Sequence, residues 1–266
     1  MAIFGIIMEK VSKSQIKLIK SLQHKKFRDE LGLFVAEGEK CVSELTKAFE
    51  LKFRVQSTEY RVQTDSLLAS PKEIEQMSGL KSPQGVIGVF KKNLYSVSET
   101  VGTLSGEAGL VLCLDGIQDP GNLGTIIRTC DWFGVHDIVC SLDTADCYNP
   151  KVVQATMGAL ARVRIHYVDL PKWLREFRSQ KSDIRIFGTL LDGKNMYEEL
   201  SEFSNLNSEF SVIIMGNEGN GISPAVRSLV THPIRIPSYP KNAETSESLN
   251  VSIATAIVLA EFRRKD

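Results

Sequence analysis

Paired metal-type ligands, long apolar runs and net charge are all missing from this chain. Its five cysteines (Cys41, Cys113, Cys130, Cys140, Cys147) form no CxxC, and its four histidines form no HxH or HxxxH. The usual zinc spacings and a disulfide frame are thereby excluded, and the cysteines read as small buried hydrophobes of a reducing compartment. No apolar stretch approaches membrane-spanning length. The opening MAIFGII lacks the basic start and cleavage site of a signal peptide. We therefore expect a cytoplasmic protein with no membrane and no metal. Neither GxGxxG nor GxxxxGK[ST] occurs, so the common dinucleotide and P-loop fingerprints are absent. No serine has a histidine at recognisable triad spacing. Lys+Arg and Asp+Glu both number 32, so total charge points to no partner.

The distribution of charge says more. Lys10, Lys13, Lys17, Lys20, Lys25, Lys26 and Arg28 run without an acid between them until Asp29, and Arg263–Lys265 forms a second basic cluster. Such a run is either a solvated face or a guide for a phosphate backbone. With 266 residues, the chain has room for one large or two modest domains. Residues 1–100 read as a small mixed domain. SKSQIKLIKSL places Ile16, Ile19 and Leu22 at helical spacing, LFVAEG, KFRVQS and GVIGVF read as strands, and EKCVSELTKAF and PKEIEQMSG as helices. From Lys91 to Gly109 the composition turns polar, which predicts a linker.

Residues 107–266 then alternate strand and helix. Strands are predicted at Leu110–Leu114, Asp137–Ser141, Val163–Val168, Ile184–Leu190, Phe210–Met215 and Pro233–Ile236. Asn149–Pro150 and Ser223–Pro224 read as helix starts. This rhythm implies a parallel sheet covered on both faces, with any ligand beyond the carboxyl ends of its strands. Three loops rich in Gly, Asn, Ser and Glu follow apolar strands: Asp115–Gly124, Met215–Ser223 and Ile236–Val251. In the first, Asn122 suits either a helix cap or a ligand contact, and Arg128 suits a surface ion pair or a bidentate grip on phosphate. In the second, Glu218 would repel a pyrophosphate, which leaves an ordinary loop carboxylate or one that grips hydroxyls or positions another side chain. The third leads into SLNVSIATAIVLAEF, a buried helix with many small residues, entered through Ser248, Leu249 and Asn250.

Together these segments resemble the SpoU (TrmH-like) RNA ribose methyltransferases of the SPOUT superfamily. The resemblance rests on Asn122-x-Gly124-x3-Arg128, on Gly216-Asn-Glu218-Gly-Asn-Gly221, and on Ile236-Pro237 with Ser248-Leu249-Asn250-Val251. It covers Leu110–Lys265. FVAEGEKCVSEL and SPQGVIGVF make the first part similar to the family's substrate-binding domain. The implied fold is α/β: a parallel-sheet domain with a deep trefoil knot, plus a small N-terminal α/β substrate-binding domain. The implied activity is methylation of a ribose 2′-hydroxyl in RNA, ribosomal before transfer RNA, by a homodimer using S-adenosylmethionine. By the same resemblance Arg128, Asn122, Glu218, Ser248 and Asn250 form the catalytic wall, with Glu218 fixing Arg128 or a ribose hydroxyl. Thr189, Leu190, Gly216, Ile236 and Leu249 hold the cofactor. Lys13, Lys17, Lys20, Lys25, Lys26 and Arg28 would guide RNA. A non-catalytic RNA-binding assembly factor is the competing reading. Residues 238–247 form an insertion that many members of the family lack.

Overall fold

The computed structural model describes residues 9–60, 65–93, 95, 109–180, 183–201, 210–240, 246 and 248–264. The chain divides into two units, 1–94 with 146–161, and 95–145 with 162–266.

In the first unit, helix α1 (Lys13–Ser21) starts on a capping box in which Ser12 Oγ accepts from Gln15 N and Gln15 Oε1 accepts from Ser12 N. Then come α2 (Lys25–Leu31), β1 (Leu33–Glu37), α3 (Glu39–Thr46), β2 (Leu51–Ser57), β3 (Ser66–Ala69), α4 (Pro71–Met77) and β4 (Val86–Lys91). The sheet order is β1-β4-β2-β3, with β4 antiparallel to β1 and β2, and β3 parallel to β2. Val35, Val55, Ile87 and Val89 pack one face against Ile19, Leu22, Ile74 and Met77. Two elements escape the sequence pattern. β3 has only four residues, and the two large apolar side chains of α2, Phe27 and Leu31, are exposed.

Arg28 corrects an expectation. It is 1 % exposed and does not belong to the lysine stripe. Its Nε and Nη2 donate to Asp146 Oδ2 at 3.0 and 2.7 Å, and Nη1 donates to the carbonyls of Leu22 and Gln23. All its donors are directed inward, so it is structural. Lys13, Lys17, Lys20, Lys25 and Lys26 are exposed.

In the second unit, β5 (Leu110–Asp115) leads to α5 (Pro120–Trp132) and β6 (Asp137–Ser141). The next segment, with α6 (Pro150–Thr156), returns to the first unit. There the Tyr148 ring meets Phe34 at 4.7 Å between centroids. A domain border between residues 100 and 107 therefore misplaces 146–161. Asn149 caps α6 as expected, its Oδ1 accepting from Lys151 N.

The chain continues through β7 (Arg164–Val168), α7 (Leu170–Gln180), β8 (Arg185–Asn195), α8 (Met196–Ser201), β9 (Ser211–Gly216), α9 (Pro224–Arg227), β10 (His232–Arg235) and α10 (Val251–Arg263). All six strands are parallel, in the order β10-β8-β9-β5-β6-β7. Leu170, Trp173, Leu174 and Phe177 join Val111, Cys113, Ile186, Val212 and Ile214 in one core layer. α10 packs on α5 and β9, with Phe262 edge-on to Phe187 at 4.9 Å. β8 runs five residues past its predicted end. Its pairing with β10 shifts register, so that Ile234 and Arg235 meet Lys194 and Asn195. Gly193 permits this, because a Cβ there would lie 2.5 Å from the Ile234 carbonyl carbon. All five cysteines are free and buried. Burial pushes the Cys41 thiol up to about 11, and those of Cys113 and Cys130 higher still.

At the amino ends of β6 and β7 lies a buried ionic cluster. Arg164 Nε and Nη2 donate to the two Asp137 oxygens at 2.8 and 2.6 Å, and His166 Nε2 lies 3.0 Å from Asp137 Oδ1. Among the described residues no helix is long and apolar enough to cross a membrane, and no three His, Cys, Asp or Glu side chains group as metal ligands.

Candidate active site

The strand order reverses between β5 and β9. The chain leaves β5 toward β6 and β7 on one side, while β9, β8 and β10 fill the other. Loops at the carboxyl ends of these strands are where an open parallel sheet presents a ligand site.

The three loops singled out in the sequence meet there. Asn122 Nδ2 donates to Glu218 Oε1 at 2.8 Å, and Asn250 Nδ2 donates to Asn122 Oδ1 at 2.9 Å. One side-chain amide thus joins the β5, β9 and β10 loops. It is free to do so because Asp119, not Asn122, caps α5: Asp119 Oδ1 accepts from Asn122 N at 2.8 Å. Asn250 serves two ends, since its Oδ1 also caps α10 through Ser252 N. Glu218 is bonded to Asn122, so the expectation that it fixes Arg128 is replaced by this amide contact.

Arg128 is exposed and has no hydrogen bond or ion pair among the described residues. With Gly121, Thr125 and Trp132 it lies on the exposed stripe of α5. Ser248 is likewise exposed, without a bonded partner among the described residues. Thr189 Oγ1 donates to Ile214 O at 3.0 Å, which ties the middle of β8 to β9. Gly216 at the end of β9, Ile236 just after β10 and Leu190 within β8 are half-buried, and Leu249 is exposed beside Asn250. Gly216 could not be another residue, because its Cβ would lie 2.3 Å from the Gly221 carbonyl carbon.

Other residues fix the loops and carried no signal beyond membership of a polar segment. Asn217 Nδ2 donates to Gly116 O at 2.7 Å, while its Oδ1 accepts from Gly219 N and Asn220 N. Buried Asp115 accepts from Ser223 N at 2.7 Å. Ser223 stands at the start of α9 but makes no side-chain cap there. Of the insertion, 241–245 and 247 lie outside the described residues, as do Lys265 and most of the expected linker.

A parallel sheet whose polar loops meet at its switch point, without either glycine fingerprint, defines an α/β domain outside the dinucleotide and P-loop types. The SpoU rRNA methylase family model matches residues 109–260, and an MRM3-like substrate binding domain model matches 13–88. The chain belongs to the SpoU family, whose members fit within the SPOUT superfamily. It is 29% identical to the 23S rRNA (guanosine(2553)-2′-O)-methyltransferase RlmP of Bacillus subtilis, over 96% of this chain and 98% of the relative. It is 35% identical to the 23S rRNA (guanosine-2′-O-)-methyltransferase RlmB of Neisseria meningitidis, over 68% and 69%. A solved AdoMet-bound rRNA methyltransferase from Sinorhizobium meliloti superposes with TM-score 0.80 at 29% identity, covering 98% of this chain and 99% of that one.

Proposed function

We propose that this chain methylates a ribose 2′-hydroxyl of ribosomal RNA with S-adenosylmethionine. One observation carries the reading: the Glu218–Asn122–Asn250 hydrogen-bond chain that unites three loops at the sheet's switch point. The loop residues suit this cofactor better than a nucleotide phosphate. Met215–Ser223 holds no Lys or Arg, and its one charge is the Glu218 carboxylate, favourable toward a cation. Exposed Leu249 and half-buried Leu190 and Ile236 offer apolar surface, and Thr189 in β8 and Gly216 at the end of β9 offer backbone groups. When bound, S-adenosylmethionine supplies a methyl group already activated as a sulfonium.

The chain's own residues must aim the hydroxyl and ease its proton away. Asn122, held on both sides, orients the ribose. Ser248 and Asn250 complete the polar wall. Arg128 clamps an RNA phosphate and stabilises developing alkoxide charge; its guanidinium stays protonated and cannot serve as a base near neutrality. Positioning of this kind supplies roughly 7–11 kcal/mol in favourable cases. The lysine face, Lys13, Lys17, Lys20, Lys25 and Lys26, guides the phosphate backbone of an RNA read as a loop or by its shape.

The protein acts as a cytoplasmic homodimer in this reading. Support comes from Trp132, 84% exposed beside Arg128, and from exposed Leu249 and Ile253 at the start of α10, which a second copy would cover. A trefoil knot, with the C-terminal segment threaded through a loop, fits the small residues Ala254, Ala256 and Ala260 of α10.

Calorimetric titration with S-adenosylmethionine, joined to mapping of 2′-O-methyl sites on total RNA with and without the protein, tests the proposal. We expect saturable binding and the loss of one ribosomal site. Absence of saturable binding would favour a non-catalytic assembly factor.

A further inference from the structure

Helix α2 reverses an ordinary rule of burial. Of two adjacent residues, Arg28 is 1 % exposed and Phe27 is 38 % exposed. An amphipathic helix normally buries the aromatic and leaves the arginine in water. Here Arg28 takes the inward position because Asp146 and two carbonyls satisfy its guanidinium. Phe27 stands next to it round the helix, outside the core. The ring of exposed His24 meets the Phe27 ring edge-on, with centroids 6.5 Å apart. His24 opens α2 without a side-chain cap bond, so its ring is not committed to the helix end. Breaks in a local rule of this kind concentrate at functional sites.

The charge around the two rings is a second, independent observation. In the same unit Lys25 and Lys92 pair with Asp29, Lys47 with Glu44 and Lys52 with Glu50. Lys13, Lys17, Lys20 and Lys26 are exposed and have no hydrogen bond or ion pair among the described residues. The first three recur at helical spacing on one side of α1, along roughly 10 Å of its axis. Lys26 directly precedes Phe27. The order of α2, KKFRDEL, places cations before Phe27 and acids after Arg28. Positive charge therefore lies toward α1, and exposed Leu31 belongs to the acidic end.

We propose that Phe27, edged by His24, is a stacking platform for an unpaired base of the RNA substrate, with Lys20 and Lys26 on the flanking phosphates; the inference rests on the RNA reading above. It adds a preference for single strand over duplex, which lysines alone do not confer. An aromatic ring left in water among unpaired cations has the composition of a single-strand site: a base stacks on the ring and the cations meet its backbone. In a duplex the base faces are closed by their neighbours, and the platform has nothing to take. Stacking uses no base edge, so each of the four bases serves. A protein partner fits this surface less well, since lysine is depleted from protein interfaces.

The test uses the full chain, a labelled RNA dodecamer of mixed sequence and the same dodecamer annealed to its complement, followed by fluorescence anisotropy at two salt concentrations. Phe27→Ala should weaken single-strand binding about tenfold, with the salt slope, duplex affinity and Tm unchanged. Phe27→Trp should restore the single-strand affinity. Lys26→Ala should weaken both RNAs alike and lower the salt slope by about one, the mark of a phosphate contact. A merely structural Phe27 would weaken both RNAs together, and that result overturns the proposal. So does an alanine variant that binds the single strand as the wild type does. An altered oligomeric state of that variant in sedimentation, with single-strand affinity intact, would assign the ring to a protein contact instead. If the wild type binds neither RNA, the RNA reading falls and the platform with it. Failure of S-adenosylmethionine to bind the same sample would count against methyl transfer and leave the stacking result standing on its own.

Discussion

The carboxyl and amino ends of the six-stranded sheet each carry a polar cluster, and the two are built differently. At the carboxyl end the Asn122 amide donates to the Glu218 carboxylate and accepts from the Asn250 amide in contact with solvent, and Arg128 has no bonded partner among the described residues. At the amino end Asp137 and His166 are buried, and Arg164 closes on the carboxylate with a two-pronged contact. The first cluster leaves hydrogen-bonding capacity open to a ligand. The second spends its capacity internally, except for His166 Nδ1, which has no hydrogen-bond partner among the described residues. Binding capacity and stability have been separated along the strands, so substitutions at the two ends should have separable effects.

The largest effect is expected at Arg128. Arg128→Ala should lower single-turnover methylation by about 10²–10³-fold while S-adenosylmethionine affinity by calorimetry and Tm stay nearly unchanged. Parallel loss of all three would make Arg128 a structural residue and erase the contrast between the ends. Next comes Asp137→Asn, which removes the carboxylate facing Arg164 and His166. It should cost about 3 kcal/mol in urea unfolding, as expected for breaking a buried pair, with turnover per folded molecule unaltered.

A pH series sharpens the same point. Burial would push the Asp137 carboxyl up, but hydrogen bonds from His166 and Arg164, with their charges, hold it below the ordinary range. A carboxyl depressed in the folded state stabilises above its unfolded pKa, about 3.9. That stability is lost as pH falls through the lower folded value. Thermal melts from pH 6 to pH 3 should therefore fall more steeply for the wild type than for Asp137→Asn. Parallel curves would remove Asp137 from the acid response.

The smallest expected effect is a coupling. Glu218→Gln and Asn250→Ala share Asn122 as partner, so their effects on methylation should be non-additive by about 0.5–1 kcal/mol in a double-mutant cycle. Additivity would mean that the amide chain does not act as one unit.

How far the sequence revealed these features depended on the range of the contacts involved. The three loops were legible, because a cluster of Gly, Asn and Glu after an apolar strand is a local pattern. The bond between Asn122 and Glu218 was not, since the two residues lie 96 positions apart. Asn122 read as a possible cap because the true cap, Asp119, stands three residues earlier and is equally suited. Arg28 misled for the same reason: seen among lysines it reads as surface charge, and only Asp146, 118 residues on, turns it inward. β8 beyond Leu190 lost its apolar alternation in LDGKN, so nothing local announced its register shift against β10.

The return of residues 146–161 to the first unit has a consequence for biosynthesis. When a ribosome has made the first 94 residues, Arg28 has been synthesised without its carboxylate partner and Phe34 without Tyr148. The first unit cannot finish until β5, α5 and β6 have also emerged. Order of translation and order of maturation therefore diverge, and a gene fragment cut at the apparent domain border would yield a chain with an unneutralised guanidinium at its centre.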